Sequence, residues 1–244
     1  MSWPTAMLPS SASMSKKRIE LLDAIRGAAL YYMLYYHFIY DLALFGLVSW
    51  DFVYSGVMLA LEVISASAFI LLAGFSCRLS RNNLKRGVQV FLCGLLVSVG
   101  SGIAGVTIRF GVLQLLGSSM VLYAIFGKYI ERLPRPVVPI VSVPMFCWGF
   151  YVYRNVRVAV EWLYPIGLKG YGFASADYFP LFPWFFMFIM GAWLSKVLLG
   201  GEHKAWMDRS WPKALTVPGR HTLIVYMVHQ IPLYAIAWGL SAVI

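Results

Sequence analysis

Apolar residues run along this chain in seven long blocks, separated by short stretches where arginines, lysines, prolines and glycines collect. The blocks fall at approximately 22–48, 52–77, 87–105, 109–127, 136–153, 180–199 and 220–243. Most reach the roughly 20 mainly apolar residues that an α-helix needs to cross the hydrocarbon of a bilayer. The pattern predicts an all-α integral membrane protein, a polytopic bundle of about seven transmembrane helices. The fifth block is the weakest, because Pro136, Pro139 and Pro144 crowd it; membrane helices tolerate proline where neighbours re-satisfy the backbone. Gly94, Ser98 and Gly102 recur every four residues in the third block and predict close helix packing.

Composition agrees with the pattern. The chain is 60% hydrophobic and 12% charged, against about a quarter charged in soluble domains, and no stretch is left for a separate soluble domain. Residues 1–18 are small and polar, end in Lys16, Lys17 and Arg18, and lack the apolar core of a signal peptide. They are expected to be a disordered cytoplasmic segment ahead of one transmembrane domain, 19–244. A net charge of +10 would suggest nucleic acid in a soluble protein, but here the basic residues sit between apolar blocks. With the N-terminus inside, 16 of the 20 lysines and arginines fall on cytoplasmic ends and loops, Lys204 among them. The other side receives Arg109, Arg154, Arg157 and Lys169. This is the asymmetry of the positive-inside rule, so the basic residues set topology and no nucleic-acid partner is expected. Cys77, Cys93 and Cys147 are odd in number, without CxxC spacing, and read as small buried hydrophobes. No metal is expected.

Ionisable groups inside hydrocarbon are costly and mark functional candidates. The first block concentrates them. Arg26 and His37 are eleven residues apart, about 20° beyond three full turns, which puts them on one helix face about 16 Å apart. Asp41 stands one turn beyond His37, where a carboxylate can orient an imidazole and stabilise its protonated form, as general-base catalysis requires. A packing seam in which His37 and Asp41 satisfy each other is the open alternative. Glu62 in the second block is expected at the depth of His37, as a second carboxylate or as a neutral acid bonded to backbone. Gln114, His229 and Gln230 suit hydrogen bonding to a substrate, or bridging between helices. Arg78, Arg81 and Lys85 lie where phosphates of a cytosolic molecule would dock, or serve as topology anchors. The long outer connection 154–179 is rich in aromatics and glycines and either caps an outward site or forms an interfacial belt. Phosphate-binding P-loops, Rossmann fingerprints, zincin and nucleophile-elbow motifs are missing from the sequence.

The opening RIELLDAIRGAALYYMLYYHFIYDLALFG resembles bacterial members of the heparan-α-glucosaminide N-acetyltransferase catalytic-domain family, within the transmembrane acyltransferases. Similar blocks follow in order: FILLAGFSCRLSRNNLKRG, IRFGVLQLLGSSMVLY, YFPLFPWFFMFIMGAWLSK and GRHTLIVYMVHQIPLY. Arg26, ten residues and His37 look like the Arg-X10-His motif of membrane acyltransferases. The resemblance implies that His37 is the catalytic histidine and that Arg26 supports acyl-CoA binding.

The expectation is therefore an N- or O-acetyltransferase of the bacterial inner membrane. It takes an acyl group, expected to be acetyl, from cytosolic acetyl-CoA to a carbohydrate amine or hydroxyl on the outer side. His37, Asp41 and Glu62 are the expected catalytic groups; Arg26, Arg78, Arg81 and Lys85 hold the donor; Arg109, Gln114, His229 and Gln230 meet the acceptor. Homo-oligomerisation stays open. Two other classes remain: a small proton-coupled transporter with the buried His, Asp and Glu residues as a relay, and a non-enzymatic membrane subunit.

Overall fold

A computed structural model of the protein describes residues 19–200 and 205–243. The expected N-terminal segment 1–18, with Lys16, Lys17 and Arg18, lies outside the described residues, as does Lys204.

Helix starts follow the local polar residues. α1 (Glu20–Leu44) carries Glu20 and Asp23 in its first turn, where carboxylates meet the positive end of the helix dipole. Hydroxyls of Ser49 and Ser55 accept from backbone N–H groups of Phe52 and Met58, capping the short α2 (Trp50–Val53) and α3 (Gly56–Leu79). Asn82 does the same for α4 (Asn83–Ile103) through Lys85 N–H. α5 (Val112–Arg132) begins where Gln114 reaches back to the Gly111 N–H, and α6 (Val137–Asn155) begins after Pro136. In the outer connection, β1 (Arg157–Val158) and β2 (Lys169–Gly170) pair in parallel on either side of a 3-10 helix (Glu161–Ile166). α7 (Leu181–Leu199), α8 (Lys213–Arg220), α9 (Thr222–Val228) and α10 (Gln230–Ser241) complete the described chain.

The all-α membrane architecture is as expected, and six of the predicted blocks match helices. Five helices, α3 to α7, are long and apolar enough to cross a membrane, and a sixth crossing results if α9 and α10 are one span bent by 40°. The seventh expected span differs from the prediction in being broken at His229. α1 has the length for a crossing, but its tyrosines, His37 and Asp41 lower its hydropathy. Large apolar side chains such as Val57, Ile64, Leu96, Val99, Ile140 and Trp148 are exposed, as expected of surfaces that meet lipid rather than water.

Two close helix contacts frame the interior. At the α3–α7 contact, a Cβ on Gly74 would fall onto the Phe188 carbonyl, and one on Gly191 onto the Leu71 carbonyl. At the α1–α8 contact, Gly27 meets the Leu215 carbonyl and Gly219 the Asp23 carbonyl in the same way. Each is a reciprocal small-residue contact of the kind that lets helix backbones touch. The predicted α4 seam holds at Gly94, against α5, and at Ser98, whose hydroxyl accepts from Gln114; Gly102 has open space around it. Ile70, Leu115, Leu116, Met120, Trp184, Phe188 and Tyr226 fill the centre, between α3, α5, α7 and α9. Cys77 is buried, Cys93 partly buried and Cys147 exposed, all three unpaired.

Overpacking a tight seam typically costs about 1–3 kcal/mol. Gly191→Leu should therefore lower the melting temperature in detergent, whereas Gly100→Ala, with nothing within 4 Å of its added methyl, should leave it unchanged. Equal melting temperatures for the two variants would refute the α3–α7 contact.

Candidate active site

Two cavities meet inside the bundle. The smaller, about 110 Å³, is lined by Tyr32, Met33, Tyr36 and His37 of α1, Glu62, Ser65 and Phe69 of α3, and Val112 of α5. Asp177, Tyr178 and Phe179 of the outer connection and Tyr226 of α9 close it. The larger, about 1100 Å³, is lined by Asp23 and Arg26 of α1, Ser76 and Arg78 of α3, Arg86 and Gln89 of α4, Leu113, Leu116 and Met120 of α5, and Arg220 of α8. Phe69 and Tyr226 belong to both cavities.

His37 forms part of the smaller cavity's wall. Its Nδ1 lies 2.9 Å from the Met33 carbonyl, one turn back. A carbonyl only accepts, so Nδ1 carries the hydrogen, and in the neutral ring the lone pair stands at Nε2. That atom has no hydrogen-bond partner among the described residues, and it is not among the polar atoms sealed from solvent. The ring is thus oriented from behind, with its basic nitrogen unoccupied. Glu62 lines the same cavity, as its expected depth required.

Asp41 is a different case. It is 1% exposed, and both of its carboxylate oxygens accept from Gln230 Nε2, at 2.8 and 2.9 Å. No hydrogen bond joins it to His37 among the described residues. His37 Nδ1 is taken by the Met33 carbonyl and both Asp41 oxygens by Gln230, so each has a partner other than the other. The expected ring-orienting carboxylate is replaced by a backbone carbonyl. Gln230 is correspondingly a partner of Asp41 and does not line the smaller cavity.

Arg26 and Arg78 both line the larger cavity, each with protein partners. Arg26 pairs with Asp23 at 2.8 Å and also donates to the Ser76 hydroxyl; Arg78 pairs with Glu131 at 3.1 Å. Arg81 and Lys85 are not in the wall. The α4 stripe that faces the cavity is Arg86, Gln89 and Val90, at helical spacing, and Lys85 is rotated about 100° off it.

Arg109 and Gln114 also lie outside the smaller cavity. Arg109 sits 3.9 Å from Glu161 and over the Phe173 ring at 5.5 Å, in the outer connection. Gln114 is 3% exposed and spends both ends internally, accepting from Gly111 N–H at 2.8 Å and donating to Ser98 at 2.6 Å. It starts α5 and ties it to α4. His229 is buried beside His37, with ring centroids 5.0 Å apart at 74°.

Asp177 and Tyr226 were not anticipated from the sequence. The Tyr226 hydroxyl donates to Asp177 Oδ2 at 2.9 Å, and Val112 N–H donates to the same oxygen at 3.2 Å, so the outer connection is pinned to α5 and α9. Burial pushes the Asp177 carboxyl above its ordinary range, and the bonds from Tyr226 and Val112 pull it back. Lys169 is pushed down to about 8 by burial, and by Arg157 and Arg154 nearby. Its ammonium lies 4.9 Å from the Tyr153 ring and 5.6 Å from the Tyr178 ring. The outer connection does cap the smaller cavity, through residues 176–179. No group of three or more potential metal ligands occurs among the described residues.

The profile of the heparan-alpha-glucosaminide N-acetyltransferase catalytic family matches residues 18–231. The chain belongs to that family. Comparison with curated proteins and with solved structures returned no match. The family match runs from just before α1 to the start of α10 and so covers every residue lining both cavities. Family membership and the apolar helices together make the protein a membrane acetyltransferase in general terms. His37 lines the smaller cavity, and Phe69 and Tyr226 join that cavity's wall to the wall of the larger one.

The Asp41–Gln230 pair is a unit, and a buried acceptor that loses its partner typically costs about 1–3 kcal/mol. Asp41→Ala and Gln230→Ala should each destabilise the protein, and the double variant should cost much less than their sum. Strict additivity in a double-mutant cycle would show that the pair makes no coupled contact.

Proposed function

We propose that this protein transfers an acetyl group from acetyl-CoA, held in the larger cavity, to an amine or hydroxyl of a carbohydrate held in the smaller one. The observation that carries the reading is the unpartnered Nε2 of His37, in the wall of a cavity that shares Phe69 and Tyr226 with a second, much larger one. At about 1100 Å³ the larger cavity exceeds the roughly 300–1,000 Å³ typical of small-molecule sites, room enough for an extended donor. Guanidinium groups of Arg26, Arg78, Arg86 and Arg220 line it and suit the phosphates of coenzyme A.

The charge asymmetry of the sequence supports opening this cavity to the cytoplasm, where acetyl-CoA is made, with the N-terminus on the same side. A bacterial inner membrane fits that arrangement. The acceptor then enters from the outer side, beneath residues 176–179.

In the reaction, the acceptor's nitrogen or oxygen attacks the thioester carbonyl carbon. The new C–N or C–O bond forms, the C–S bond breaks, and the acceptor's proton passes to His37 Nε2. The coenzyme thiolate leaves and takes up that proton, which restores the neutral ring. Nδ1–H stays on the Met33 carbonyl throughout and holds the ring in place. Glu62, in the same cavity, favours the transient imidazolium. Asp41 acts at one remove, by fixing α10 through Gln230.

Protein reconstituted in liposomes with radiolabelled acetyl-CoA should label a glucosamine-containing acceptor. His37→Ala should reduce kcat about 10²-fold or more, the range of general-base contributions, while Arg78→Ala should raise KM for the donor with little change in kcat. Undiminished transfer in His37→Ala, or proton-driven uptake with no acetyl transfer in the wild type, would overturn the proposal.

A further inference from the structure

His229 sits at the break between α9 and α10, with its ring against that of His37 on α1. Its Nδ1 lies 2.7 Å from the Tyr226 carbonyl. As at His37, the carbonyl accepts, Nδ1 carries the hydrogen, and the neutral ring keeps its lone pair at Nε2. The residue is 8% exposed, and its Nε2 is sealed from solvent with no hydrogen-bond partner among the described residues. Buried polar atoms left without a partner are rare and call for an explanation.

The two rings thus form a matched pair. Each donates from Nδ1 to a backbone carbonyl in its own helix, each holds a lone pair at Nε2, and the centroids are 5.0 Å apart. The two Nε2 atoms make no hydrogen bond to each other in the neutral pair, but rings whose centroids are 5.0 Å apart are near enough to turn toward and share one additional proton. The reaction assigned to His37 delivers one.

We propose that His229 is the partner of His37 in handling that proton: its Nε2 lone pair accepts it from protonated His37, and returns it before the coenzyme thiolate leaves. The inference rests on the acyltransfer reading and assigns His229 a role in it other than acceptor binding. The step balances as a transfer of one proton from His37 Nε2 to His229 Nε2, with no change in bonding at either Nδ1. Charged and titratable groups facing His229 are His37 from α1, Asp177 from the outer connection and Tyr226 on its own helix, with Asp41 adjoining through Gln230. Asp177 in turn holds the Tyr226 hydroxyl.

The test compares wild type, His37→Ala, His229→Gln and His229→Asn in liposomes with acetyl-CoA, with melting temperature and coenzyme A binding as controls for folding. In His229→Gln, kcat should fall about 10²-fold, the low end of general acid–base effects, with KM for both substrates within twofold. The pH–rate profile should lose one of its two ionisations. Unchanged kcat and pH profile, or a change confined to KM, would overturn the proposal. Loss of activity in His229→Gln while His37→Ala stays fully active would instead refute the role of His37 on which the inference rests, and no acetyl transfer by the wild type would refute the acyltransfer reading beneath it. Histidine ¹⁵N resonances of the wild-type protein in lipid need no variant. Acidification should shift the Nε2 signals of His37 and His229 together, as a pair sharing one proton. A His229 signal that stays fixed while His37 titrates would overturn the proposal by itself.

Discussion

A polar group in hydrocarbon has no water to fall back on, so it finds a partner inside the protein or carries an unmet bond at considerable cost. That constraint organises this bundle. Asp41 is met by Gln230, Gln114 by Gly111 and Ser98, and Asp177 by Tyr226 and Val112. Ser119, Trp184, Ser195 and Trp211 also keep a buried polar atom without a partner, and what sets the Nε2 atoms of His37 and His229 apart is that each is a basic lone pair, one in a cavity wall and one sealed beside it. Their other nitrogens are anchored to main-chain carbonyls, so neither ring is loose.

The helix contacts make the exception possible. Small residues at Gly27 and Gly219, and at Gly74 and Gly191, bring α1 onto α8 and α3 onto α7 until backbone meets backbone. The remaining space gathers on either side of Phe69 and Tyr226. At the break His229 lies against His37 and Gln230 bonds Asp41. One residue pair, Phe69 and Tyr226, is common to a basic cavity and a smaller aromatic one. The proposed transfer, with donor and acceptor approaching from opposite sides, requires two such cavities sharing a wall.

Much of this was legible in the sequence. Hydropathy located the apolar helices to within a few residues, because hydrocarbon thickness dictates their length. Helical periodicity put Arg26 and His37 on one face, and both line cavities. Depth counting placed Glu62 with His37. The misassignments have physical causes. Proximity along a helix suggested an Asp41–His37 pair, but the Met33 carbonyl and a competing amide from a residue 189 positions away decided otherwise. Lys85 was named from its charge and position alone, without the helical phase that puts Arg86, Gln89 and Val90 in the cavity wall. Gln114 looked free to meet a substrate, although its position three residues after Gly111 is that of a helix cap. Asp177 and Tyr226 carried no local signal, since only tertiary packing brings the outer connection over α9.

The central claim is that His37 stands at the border between a donor cavity and an acceptor cavity. The most direct measurement is an experimental structure of the protein in lipid with coenzyme A bound. The account predicts coenzyme density in the larger cavity, its phosphates among Arg26, Arg78, Arg86 and Arg220 and its sulfur at the wall formed by Phe69 and Tyr226, pointing to His37 Nε2. Coenzyme bound elsewhere, or a sulfur separated from His37 by an intact wall of helix backbone, would contradict it.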